Sequence, residues 1–100
     1  MLSFYKNNEF DLEKLDEAAP NCWINTVNPT PEEKEFICNL GIPLDFLTYS
    51  LDIDERSRIE EEDESTMLIV VRVPFFRGEN VDIPFVTVPL GIILTDKYLV

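Results

Sequence analysis

One hundred residues, 45% of them apolar and 11% aromatic, suffice for one hydrophobic core and argue for a single domain over residues 1–100. Twenty acidic against eight basic residues leave a formal charge of −12, which repels nucleic-acid phosphates and anionic membranes and leaves divalent cations or basic proteins as fitting partners. The chain has no histidine, so serine–histidine and cysteine–histidine catalysis are excluded within it, and the commonest neutral metal ligand is missing.

Lys6 is soon followed by acidic residues, no apolar run is long enough for a signal peptide, and nowhere do about 18 apolar residues follow one another, so no membrane crossing is expected within the chain. Residues 2–5 read as a short edge strand, and Asn7-Asn8 turns the chain. Asp11 is placed to cap a brief helix with Leu12 and Leu15 on one face, ending before Pro20. Residues 21–27 read as a second strand, in which Trp23 is expected to fill the core rather than serve as a binding platform. Cys22 and Cys38 lie in apolar surroundings without a paired spacing for zinc or redox chemistry, and read as two reduced core thiols suited to a reducing cytoplasm.

Thr30-Pro31-Glu32-Glu33 is a helix start: a hydroxyl at the N-cap, proline at the first helical position, and a glutamate three after the cap to reach back to it. That helix should run to Leu40, burying Phe36, Ile37 and Leu40, with Gly41 where a left-handed terminating residue is wanted. Pro43 then opens a second helix with Leu44, Leu47 and Leu51 on one face. A connection of that length permits a parallel, right-handed crossover.

Residues 56–61, 66–75 and 83–95, and the chain from Tyr98 onward, read as strands, with turns at Glu62-Asp63-Glu64-Ser65 and near Gly78-Glu79-Asn80. In the second of these Met67, Ile69, Val71 and Val73 fall on one side and Leu68 and Val70 on the other, so both faces need burial, the pattern of a central strand. Pro89 and Gly91 predict a bulge or kink in the third. The expected fold class is α/β: a mixed β-sheet with helices packed on it, a two-helix crossover, then an antiparallel meander.

Three features invite chemistry. Residues 60–64 are an unbroken acidic run of the kind a hard cation needs, but neighbouring residues on a strand point to opposite sides, and a solvated turn is the preferred reading. Asp52-Ile53-Asp54 begins like a calcium loop, yet Ser57 stands where glycine is required and Asp63 where a bidentate glutamate is required. The three glycines, Gly41, Gly78 and Gly91, stand singly, so no phosphate-cradling loop is formed. With no nucleophile motif either, an enzyme is not expected, and no catalytic or cofactor-binding residue is assigned.

The order of Cys22-Trp23-Ile24-Asn25, Leu40-Gly41-Ile42-Pro43-Leu44 with Phe46-Leu47 and Leu51, Arg56-Ser57-Arg58-Ile59-Glu60, the strand at 67–73, and Val88-Pro89-Leu90-Gly91-Ile92-Ile93-Leu94-Thr95 resembles the cytoplasmic N-terminal domain of CorA-type magnesium and cobalt transport proteins. The resemblance implies part of an α/β/α sandwich at the cytoplasmic face of the cell membrane, set ahead of a long helix and two transmembrane helices with a Gly-Met-Asn motif that lie outside these residues. It implies a regulatory, non-catalytic role in a pentameric channel for Mg²⁺ or Co²⁺, with Mg²⁺ held between neighbouring subunits as a regulatory ligand, and pairing into dimers when such a domain stands alone. The family's acidic site positions fall on Thr48 and Tyr49, neither an acid, which leaves Asp45 and Asp52 as substitute metal ligands on or beside the same helix. A free-standing acidic module that binds a basic protein is the alternative.

Overall fold

The computed structural model describes residues 1–100, as strands β1 (Leu2–Asn7), β2 (Leu12–Leu15) and β3 (Cys22–Thr26), helices α1 (Pro31–Asn39) and α2 (Leu44–Leu51), and strands β4 (Arg58–Glu61), β5 (Met67–Phe76), β6 (Phe85–Leu94) and β7 (Tyr98–Leu99). The strands form one mixed sheet in the order β2-β1-β3-β7-β6-β5-β4. All neighbours are antiparallel except β3 and β7, where Cys22 and Trp23 lie beside Tyr98 and Leu99 in parallel. The α/β class, the mixed sheet and the closing meander are as the sequence predicts.

The helix start at Thr30 forms as read. The Glu33 amide donates to the Thr30 hydroxyl at 3.2 Å, and the Glu33 carboxylate accepts from the Thr30 amide at 2.9 Å and from the N-terminal ammonium at 3.0 Å. The Thr30 amide first, and the ammonium second, hold the Glu33 carboxyl below its ordinary pKa. In the β4–β5 turn, the Ser65 amide and then its hydroxyl do the same for Asp63, at 2.7 and 2.9 Å. A carboxyl depressed in the folded state adds stability above its unfolded pKa and loses it as pH falls through the folded value. Resistance to urea should therefore fall below about pH 4. In Glu33→Gln that acid limb should be shallower when urea midpoints are compared between neutral and acid pH.

Four readings are corrected by the sheet. Residues 12–15 form strand β2, not a helix capped by Asp11, because four residues cannot close enough helical bonds to stand alone, whereas pairing Asn7 with Leu12 and Phe4 with Leu15 satisfies the backbone at once. That pairing also makes β1 an interior strand, with β3 on its other side, rather than an edge. The two helices lead from β3 to β4, which lies at the far end of the sheet and runs antiparallel to β3, so the parallel neighbour of β3 is supplied later, by β7. No bulge interrupts β6, whose ten residues pair continuously with β5, Pro89 facing Arg72 and Gly91 facing Val70. Ile93 exchanges both backbone bonds with Val100 on the β7 side. By the two-residue alternation of an antiparallel ladder, Pro89 also directs its nitrogen away from β5, where no ladder bond is lost.

Both helices lie on one face, giving one α/β layer of the expected sandwich. Ile37, Ile42, Phe46 and Leu47 pack there on Leu68, Val70 and Ile93. Of the two faces assigned to β5, the Leu68–Val70 face is fully buried, while Met67, Ile69, Val71 and Val73 are only partly covered. The α2 stripe is rotated from its reading: Phe46 and Leu47 are buried, but Leu44 and Leu51 are exposed. On α1 Ile37 alone is buried, and Phe36 leans edge-on against Phe4 with 6.1 Å between ring centres. Trp23 is 37% exposed, because β3 turns Cys22 and Ile24 to the buried side and Trp23 to the opposite one, where its ring rests 5.0 Å from Tyr5. Neither cysteine is in a disulfide; Cys22 is buried and Cys38 partly so.

Candidate functional site

Helix α2 and the loop after it carry the residues singled out for metal binding. Asp45 lies in the first turn of α2, and Asp52 is its C-cap residue. Seven residues of helix separate them by about 10 Å, so they cannot share one cation. The Asp52 carboxylate accepts from the Asp54 amide at 3.0 Å, closing a small turn in place of a calcium loop. The Thr48 hydroxyl donates back to the Leu44 carbonyl at 3.1 Å. Tyr49 carries the guanidinium of Arg58 over its ring, 4.6 Å from the centre, so a positive charge already sits beside the position where the resemblance implies an acid. No three Asp, Glu or Cys side chains converge anywhere in the chain.

The acidic run is likewise dispersed. Glu60 pairs with Arg58 at 3.1 Å, and Asp63 is engaged in its own turn. Arg58 also bonds Glu55, so one guanidinium serves two carboxylates of this region.

Sequence reasoning missed Arg72, the most connected side chain of this region. Its guanidinium donates to the Ile53 and Glu55 carbonyls at 2.6 and 3.0 Å and to the Thr87 carbonyl and hydroxyl at 2.7 and 3.2 Å. It ties the α2–β4 loop to β5 and β6. The available signal was a lone cation inside the apolar run Val71-Arg72-Val73, but carbonyl partners distant in sequence leave no trace in composition.

The fold, a seven-stranded mixed sheet with two helices on one face, defines an α/β domain of the kind found in CorA. The chain is similar to the complete CorA magnesium transporter of Methanocaldococcus jannaschii at 30% identity and a TM-score of 0.75, covering 99% of this chain and 31% of that one. It is also similar to the soluble domain of the same organism's CorA at 30% identity and a TM-score of 0.72, covering 96% of this chain and 38% of that one. The chain is CorA-like in sequence and in fold. It spans about a third of the length of the transporter it matches. No protein-family model and no curated protein matches it. None of its helices is long and apolar enough to cross a membrane.

Proposed function

We propose that this chain acts as a regulatory, non-catalytic domain of a CorA-like divalent-cation channel, on the cytoplasmic side of the membrane, through contacts between copies. The observation that carries the reading is the likeness to a magnesium transporter at 30% identity over 99% of the chain. The charge of −12 is consistent with it, since a cation held between acidic surfaces relieves their repulsion and shifts the population toward the packed arrangement. Because no metal cluster forms within one copy, the regulatory Mg²⁺ would be shared between copies.

The test is a chimera in which these 100 residues replace the matched segment of the M. jannaschii transporter, with Mg²⁺ flux into vesicles measured against Mg²⁺ concentration. Flux that declines as Mg²⁺ rises is the expected result. A chimera that conducts but ignores Mg²⁺, beside a parent that responds, sinks the regulatory role. For the isolated chain, the expected thermal midpoint is flat against Mg²⁺, since only a ligand bound by the folded state raises it. The same charge supports a second reading, a module for a basic protein, which salt-sensitive binding to a basic partner by the isolated chain would favour.

A further inference from the structure

Under the C-terminal half of α1, three aromatic side chains line a hollow of about 330 Å³. Phe4 stands on β1 and Tyr98 opens β7, with β3 between them, so two strand spacings, about 10 Å, separate their positions across the sheet. Phe36 and Leu40, one helical turn apart, close the hollow from above. The rings of Phe4 and Phe36 meet at 66° with 6.1 Å between centres, which makes them two walls of a corner rather than a stacked pair. Asp16 and Glu17 form the rim, because β2 ends at Leu15, directly opposite Phe4, and the chain passes the hollow on its way to β3.

The walls are set by pairings of their own: Phe4 with Leu15 and Ile24, Tyr98 with Cys22, and the Tyr98 amide held by the Thr95 hydroxyl at 2.9 Å. Val100 takes no part and packs instead on the α2 core. The three ion pairs of the chain use Glu33, Glu55 and Glu60, so both rim carboxylates are without a cation.

Aromatic walls beneath an acidic rim select one kind of guest. A hard cation needs several converging oxygens, and no such cluster forms. A guanidinium or a primary ammonium would press its N–H donors against rings and a leucine that cannot accept them. A methylated ammonium brings no donor, is weakly hydrated, and is attracted both by ring faces and by nearby carboxylates. We propose that this hollow binds a small organic cation through a trimethylammonium head, seated among Phe4, Phe36 and Tyr98 with Asp16 and Glu17 at the mouth. A guest that also carries a carboxylate is disfavoured by the rim and by the overall charge of −12. The site is independent of any regulation by Mg²⁺ and stands or falls separately from it.

The test is a titration of the full ¹⁵N-labelled chain with choline chloride, beside sodium chloride at equal ionic strength and the neutral isostere of choline in which carbon replaces nitrogen. Saturable shifts at the Phe36, Leu40 and Tyr98 amides are expected, half-complete at about 1–10 mM choline, and at least about threefold weaker for the isostere. Phe36→Leu keeps an apolar wall but removes a ring, whereas Asp16→Asn combined with Glu17→Gln keeps the shape but removes the charge. Each change should weaken choline binding about three- to tenfold. All three positions are exposed, so both variants should fold. The same shifts with sodium chloride, equal binding of the isostere, unchanged binding in either variant, or no saturable shift would overturn the proposal. A peptide carrying one trimethylated lysine is the second arm: binding no tighter than choline supports a free small cation as the guest, and much tighter binding overturns that assignment.

Discussion

Replacing Phe46 with alanine should destabilise the protein severely. Phe46 is the largest fully buried side chain, 1% exposed, and stands at the meeting point of Ile37 from α1, Ile42 from the interhelical turn, and Leu68, Val70 and Ile93 from the sheet. Removing a buried phenylalanine ring costs about 3–5 kcal/mol, the lost transfer energy plus the cavity that its neighbours cannot close. A domain of this size has about 5–15 kcal/mol in all, so the variant should lose at least about a fifth of it and melt about 15–30 °C lower. Leu44→Ala, two residues away on the same helix but 57% exposed, should stay within about 0.5 kcal/mol of the parent. Urea unfolding followed through the single tryptophan, Trp23, compares the two. Equal losses would mean that α2 packs by its leucine stripe after all.

The second large effect is expected at Gly91. A Cβ built there would lie 1.8 Å from the Ser50 hydroxyl oxygen, 2.4 Å from the Ser50 Cβ and 3.3 Å from its Cα. The hydroxyl cannot simply swing away, because the Cβ is fixed to the helix backbone and the hydroxyl donates to the Phe46 carbonyl at 2.7 Å. Gly91→Ala must therefore lift α2 off β6, at about 1–3 kcal/mol or somewhat more. Pairing it with Ser50→Gly removes the two closest atoms. The double variant should recover most of the loss, less about 1 kcal/mol for a glycine inside a helix. Thermal midpoints of the four proteins in this cycle give the coupling directly. Independent, additive losses would show that the two positions do not touch.

Both predictions concern a helix whose existence was legible and whose orientation was not. Proline at the start and leucines three and four apart mark α2, but the buried arc runs from Phe46 to Leu47 at its margin and leaves Leu44 and Leu51 outside. Which arc is buried depends on where the sheet stands. The glycine that admits α2 to the sheet, Gly91, read as a kink signal because the reason for it, Ser50, is forty-one positions away in sequence. Trp23 was misread for a related reason. Its size argues for the core, but strand alternation beside Cys22 and Ile24 sends it to the face that has no helices.

The candidate metal site divides in the same way. That neither Thr48 nor Tyr49 is an acid is visible in the sequence. That Tyr49 is covered by the Arg58 guanidinium, and that Asp45 and Asp52 stand at opposite ends of α2, follows only from the fold. Arg72 illustrates the limit most clearly, since its partners are backbone carbonyls, which every residue possesses and none advertises.

What the sequence by itself determined is local: the capping box at Thr30, the acidic turn at Asp63, the positions of α1, α2, β3 and the β4–β6 meander, and the CorA-like order of motifs. These depend on residues a few positions apart, where hydrogen-bond reach and side-chain period act directly. Only the tertiary structure decided the strand order, the burial of Phe46 and the fit of Gly91 to Ser50. Each of those is a pairing between distant segments. A strand's edge looks the same in sequence whichever neighbour pairs with it, because the groups that define it are the backbone's own.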